Sequence, residues 1–132
     1  MSNIDITGCK VMIVDDEEGV CKILRKVLVK EGYQVQTALR GRKALDLMKK
    51  DPVHVMLLDI KMPEMDGIEV LDKIRKISPD TVVIILTAYG TLETAREALR
   101  LGAYDYITKP FDNDFVKSMV KEAVQESTKK KG

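Results

Sequence analysis

A short run of β-forming residues followed by a stretch with helical periodicity occurs five times in this chain of 132 residues, with no gap wide enough for a linker. The runs are Lys10 to Val14, Tyr33 to Thr37, Val53 to Leu58, Val82 to Thr87 and Tyr104 to Ile107. The third and fourth are apolar at nearly every position, the pattern of strands covered on both faces, and this predicts a parallel sheet. Between the runs, Val20, Ile23, Leu24, Val27 and Leu28 recur at the spacing of one helix face, as do Phe115, Val116, Met119, Val120 and Ala123. A further helix is expected over Thr91 to Leu101. Gly32 and Gly102 stand where a left-handed residue ends a helix, and Asp112 stands where a side-chain cap would open the last one. Five βα units joined by right-handed crossovers make an open, doubly wound α/β sheet with helices on both faces, and are too few for an eight-stranded barrel.

This length suits one domain, and 45% apolar residues supply a core without disulfides or a structural metal. Cys9 and Cys21 therefore read as packing thiols. The longest aliphatic run, Val82 to Leu86, is far short of the roughly 20 residues of a membrane helix, and Met1 to Asp5 lacks the signature of a signal peptide. A soluble cytoplasmic protein without membrane contact is expected. With 22 basic against 21 acidic residues the charge is balanced, so no nucleic-acid partner is expected for this domain alone.

Doubly wound sheets bind ligands beyond the carboxyl ends of their strands, so the residues at those ends carry the functional argument. Strand one leads into Asp15-Asp16, strand three into Asp59, strand four ends at Thr87, and strand five leads into Lys109-Pro110. Three converging carboxylates repel one another unless a cation sits among them. An all-oxygen set suits Mg²⁺, and the lack of His or Cys argues against zinc. A fixed ammonium and a hydroxyl complete the parts needed to hold a transferring phosphoryl group. One carboxylate is then the nucleophile, giving an acyl phosphate.

Taken together, Val14-Asp15-Asp16-Glu17, Asp59-Ile60-Lys61-Met62-Pro63, Asp66-Gly67, Leu86-Thr87-Ala88 and Lys109-Pro110-Phe111 resemble the receiver domain of bacterial two-component response regulators, over about Lys10 to Val124. The resemblance implies a flavodoxin-like strand order 2-1-3-4-5 and a phosphorylation-dependent signalling switch. It implies that Asp59 accepts a phosphoryl group from the phosphohistidine of a sensor histidine kinase or a histidine phosphotransfer protein. Asp16, Asp59 and the backbone carbonyl of Lys61 would ligate Mg²⁺, with Asp15 reaching it through water. Thr87 and Lys109 would bind the phosphoryl oxygens, Tyr106 would be the aromatic switch residue, and the Lys109-Pro110 bond would be cis. The chain would be a phosphoacceptor that assists its own phosphorylation and dephosphorylation, not an enzyme acting on an outside substrate. Residues 1–127 would form the domain, with 128–132 a short basic tail.

Helix one has more apolar positions than a sheet-facing stripe needs, which makes Gly19, Val20 and Ile23 candidates for docking the donor. Single residues have plainer readings: His54, remote from the carboxyl ends, is structural, and Met62 and Met65 pack a loop. Two other functions fit a doubly wound sheet. A haloacid dehalogenase-type Mg²⁺ phosphohydrolase places its nucleophile after strand one in an Asp-x-Asp pair, which Asp15-Asp16-Glu17 does not supply. A flavodoxin needs hydroxyls and amides around the FMN phosphate, where Asp15 to Glu18 would repel it.

Overall fold

The computed structural model of the protein describes residues 8–88 and 92–131. They form β1 (Lys10–Val14), α1 (Glu18–Lys30), β2 (Gln34–Ala38), α2 (Gly41–Lys50), β3 (Val55–Asp59), α3 (Gly67–Ile77), β4 (Val82–Ala88), α4 (Leu92–Arg100), β5 (Asp105–Lys109) and α5 (Asn113–Lys131). Thr91, the expected start of the fourth helix, lies outside the described residues. Every strand pair is parallel and the order is β2-β1-β3-β4-β5, so the anticipated doubly wound sheet is the observed one.

Alternation along the strands divides the core in two. Met12, Val14, Met56, Leu58, Val83 and Ile85 face α2, α3 and α4, where they meet Leu45, Met48, Leu71 and Ile74. Val11, Ile13, Val55, Leu57, Ile84 and Leu86 face α1 and α5, where they meet Leu24, Leu28, Val116 and Val120. The punctuation is as expected: Gly32 and Gly102 take φ of 103° and 108° after α1 and α4, and Asp112 Oδ1 accepts from the Asp114 amide at the start of α5.

Two expectations about individual helix-face positions are corrected. In α1 the buried residues are Cys21, Leu24 and Leu28, while Ile23 is 53% exposed. Phe115 is likewise half exposed in the first turn of α5 and takes no part in its buried stripe. Phe115 lies in the first turn of its helix, whereas Ile23 lies mid-helix, off the face that Cys21, Leu24 and Leu28 bury. α5 runs on through Lys131, so the basic residues that follow Thr128 belong to its last turn.

Strand boundaries also shift. β2 and β3 start one and two residues later than their apolar runs, while β3, β4 and β5 extend to Asp59, Ala88 and Lys109. A charge ends an apolar run but not a backbone ladder, so Asp59 pairs in register with Leu86 and Lys109 with Ala88. Two residues of the candidate site are thereby fixed to the sheet itself.

Candidate functional site

Alternation carries Asp59 to the same sheet face as Leu57, and Lys109 to the face of Ile107, both beneath α1 and α5. Asp15 follows β1 directly, with its amide bonded to the Ala38 carbonyl. These three side chains meet although they come from strands one, three and five. Lys109 Nζ lies 2.7 Å from Asp15 Oδ2, 3.6 Å from Asp59 Oδ2 and 3.3 Å from Glu17 Oε1. Carboxylate oxygens of Asp15, Asp16 and Asp59 all lie within 4.8 Å of one another.

Backbone donors fix two of these acids. The Glu17 amide bonds Asp15 Oδ1 at 2.9 Å, and the Lys61 amide bonds Asp59 Oδ1 at 3.2 Å. Asp15 is fully buried and Asp59 is 6% exposed, while Asp16 faces solvent. Burial foremost, and then the Asp15 charge, push the Asp59 carboxyl up to about 6, against the lowering effect of Lys109 and the Lys61 amide. Burial alone would lower the Lys109 ammonium, but its contact with Asp15, the charges of Asp15 and Asp59 and its hydrogen bond with Glu17 outweigh that and hold its pKa above the ordinary lysine value.

The loop after β3 is held in place by close backbone approach. A Cβ on Gly67 would stand 2.4 Å from the Asp59 carbonyl oxygen and 2.5 Å from Ile60 Cα. Only glycine lets the first turn of α3 lie against the backbone that carries Asp59, and the Gly67 amide bonds the Ile60 carbonyl at 2.8 Å. Asp66 caps α3 by accepting from the Glu69 amide, and Met62 and Met65 are buried beneath the loop as expected. Across its outer side Arg40 pairs with Glu64 at 2.6 Å.

Thr87 and Tyr106 occupy the opposite sheet face. Thr87 follows Ile85 by two residues on β4, Tyr106 pairs in register with Ile85, and its ring packs partly buried against the α2 to α4 side of the core. Thr87 is 2% exposed and its hydroxyl donates to the Ala88 carbonyl at 3.1 Å. The Lys109-Pro110 bond is cis, as expected. Gly19 and Ile23 are exposed and Val20 is half-buried.

Two contacts escaped the sequence reading. Glu17 joins Lys109, and the only signal was a third acid after Asp15-Asp16. Cys21 donates its thiol proton to the Asp15 carbonyl at 3.4 Å. Burial and the Asp15 charge push that thiol up to about 11, so it braces the loop as a neutral group.

The site suits a small hard cation. Its donors are carboxylates without His or Cys, and Asp15 Oδ2, 2.7 Å from the Lys109 ammonium, is buried with no well-directed hydrogen bond among the described residues. Four acids facing one ammonium leave net negative charge for a divalent ion to offset.

The sequence profile of the response regulator receiver domain matches residues 11–121. The chain is a receiver domain. It is 44% identical over 122 residues to regulatory protein AtoC of Escherichia coli K12, covering 92% of this chain and 26% of that protein. It is also 44% identical over 113 residues to sporulation initiation phosphotransferase F of Bacillus subtilis 168, covering 86% of this chain and 91% of that one. Among solved structures, a CheY-like receiver domain protein from Methanospirillum hungatei superposes with a TM-score of 0.89 at 31% identity, covering 94% of this chain and 99% of the other. The receiver domain of NtrX from Brucella abortus gives a TM-score of 0.84 at 32% identity over 87% of this chain and 98% of its own. The chain thus spans about a quarter of AtoC and of an NtrX-like relative, but nearly all of the sporulation phosphotransferase.

A receiver domain is a phosphorylation-dependent signalling module, and nothing in these relatives supports a haloacid dehalogenase-type hydrolase. Among the described residues no helix is long and apolar enough to cross a membrane.

Proposed function

We propose that Asp59 is the phosphoacceptor of this receiver domain, taking its phosphoryl group from the phosphohistidine of a sensor histidine kinase or a histidine phosphotransfer protein. The observation that carries this reading is the cluster of buried Asp15 and Asp59 with the half-buried Lys109, and with the exposed Asp16 beside them. An Asp59 carboxylate oxygen forms a bond to phosphorus as the donor's P–N bond breaks, and the electron pair of that bond returns to the imidazole. Asp16, Asp59 and the Lys61 carbonyl would hold Mg²⁺, with Asp15 acting through water. Bound there, the ion would offset charge on the transferring oxygens. Lys109 and Thr87 bind those oxygens.

Thr87 also couples to Tyr106: as its hydroxyl turns to the new oxygens it vacates space that the ring enters, which biases a two-state equilibrium. Adjacent positions on one sheet face support this. Gly19, Val20 and Ile23 form the docking surface for the donor, and the exposure of Ile23 supports that role over a core one. The domain comprises residues 1–127 with 128–132 as a basic extension, works in the cytoplasm, and assists its own phosphorylation and dephosphorylation without an outside substrate.

The test is labelling with acetyl phosphate. With Mg²⁺ the protein takes up one hydroxylamine-sensitive phosphoryl group, and neither an EDTA-treated sample nor Asp59→Asn takes up any. Label that survives Asp59→Asn, or resists hydroxylamine, would falsify the assignment.

A further inference from the structure

Resting on that reading, we propose that Glu17 is a positioning residue that restrains Lys109 and makes the site discriminate against small, multiply charged phosphoryl donors. Three carboxylates share the Lys109 ammonium: Asp15 at 2.7 Å, Glu17 at 3.3 Å and Asp59 at 3.6 Å. Phosphoryl oxygens that engage Nζ must displace one of them. Asp15 and Asp59 are buried and held by backbone amides. The Glu17 side chain is 65% exposed, so it is the arm that yields.

Glu17 occupies the N-cap position of α1, where an acid ordinarily bonds the free amides of the first turn, yet its side chain makes no such bond. Its carboxylate serves Lys109 instead. Standing on the rim beside Asp16, it also adds negative charge where a donor enters, and field lines in a cleft of low-dielectric walls act on the approach of an ion. A donor carrying two negative charges meets more repulsion than one carrying a single net charge. A phosphohistidine on a protein surface can bring its own cation to meet Glu17.

Initial rates of Asp59 labelling with acetyl phosphate, a dianion, and with phosphoramidate, whose protonated nitrogen leaves one net negative charge, separate these effects in wild type, Glu17→Gln, Glu17→Lys and Glu17→Asp. Glu17→Gln should raise the rate with subsaturating acetyl phosphate by about threefold to tenfold, with the maximal rate little changed. The gain with phosphoramidate should be smaller, and Glu17→Lys should go further in the same direction. Glu17→Asp, which keeps the charge, should restore the wild-type preference between the donors. The gains should shrink between 0.1 M and 1 M salt, as the screening length falls from about 10 Å to about 3 Å.

As a readout without turnover, the affinity for beryllofluoride with Mg²⁺ should tighten in Glu17→Gln, because one competitor for Lys109 is gone. Since the side chain caps nothing and its contact with Lys109 is exposed, Glu17→Gln and Glu17→Asp should melt close to wild type. Equal rates in every variant, or an acceleration that is the same for both donors and indifferent to salt, would overturn the inference. Absence of label at Asp59 in wild type removes the phosphoacceptor reading and this one together, whereas labelled wild type with indifferent Glu17 variants removes this one alone.

Discussion

At the amino end of the sheet, the Thr81 hydroxyl donates to the Val53 carbonyl at 2.8 Å and meets the Ser78 hydroxyl at 2.7 Å, while the Arg75 guanidinium reaches the Thr81 carbonyl. His54 Nδ1 accepts from the Lys10 amide at 3.0 Å, and Lys10 pairs with Asp51 at 2.6 Å. At the carboxyl end three carboxylates crowd one ammonium, and burial pushes one of them up to about 6. These amino-end donors meet neutral or oppositely charged acceptors, so their contacts contribute to stability and no group of like charges gathers among them. The other end holds like charges together against their repulsion, and whatever relieves that repulsion binds there.

Four substitutions can break or sharpen this contrast. Gly67→Ala places a methyl group against the backbone of Asp59 and Ile60, which cannot swing aside, and should cost about 3 kcal/mol in denaturant titration while weakening Mg²⁺ binding. A fully stable Gly67→Ala would show that the loop after β3 is not held by close approach.

Asp59→Asn should do the opposite and stabilise the metal-free protein. The folded-state pKa of about 6 lies above the ordinary 3.8, so ionisation of Asp59 costs the folded state about 2–3 kcal/mol above pH 6. Wild type regains that stability as pH falls through 6 toward 3.8, because the folded state then binds the proton more tightly than the unfolded one. The advantage of Asp59→Asn in thermal melts with EDTA should therefore be largest near pH 8 and gone near pH 4. An advantage constant with pH means that charge repulsion is not its source.

Thr81→Val leaves the Val53 carbonyl and the Ser78 hydroxyl without their partner, and should cost about 1–2 kcal/mol with Mg²⁺ affinity unchanged. A change in metal affinity would show that the two ends are coupled. Ile23→Ala should alter stability by less than about 0.5 kcal/mol and leave acetyl phosphate labelling intact, while slowing transfer from a cognate kinase. A melting temperature lowered by many degrees would return Ile23 to the core.

Legibility in the sequence followed the same division. The five βα units, the two helix-ending glycines and the Asp112 cap could be read because each depends on local period or backbone conformation. Asp15, Asp16, Asp59 and Lys109 could be read as neighbours because strand order brings strand ends together whatever the intervening chain does, whereas Thr87 stands on the opposite sheet face. Phe115 was misplaced because periodicity records which helix face is apolar, not how much of it the sheet covers, while the exposure of Ile23 agrees with its reading as a docking candidate. Glu17 and Cys21 were missed as site residues because their roles depend on tertiary contacts, with Lys109 92 residues away and with the Asp15 carbonyl across the loop that opens α1. Gly67 was seen as part of a motif, but the approach that requires it exists only once α3 lies on β3.

β5 is the last strand of the chain and an edge strand bonded to β4 alone, yet it carries both Lys109 and Tyr106. The acids thus stand at the ends of two inner strands, and their counter-ion comes from the edge. In the finished molecule an outer strand opens more readily than an inner one. Its amide protons should exchange ahead of those in β1 and β3, and each such excursion removes the cation and the ring together while the central strands stay closed.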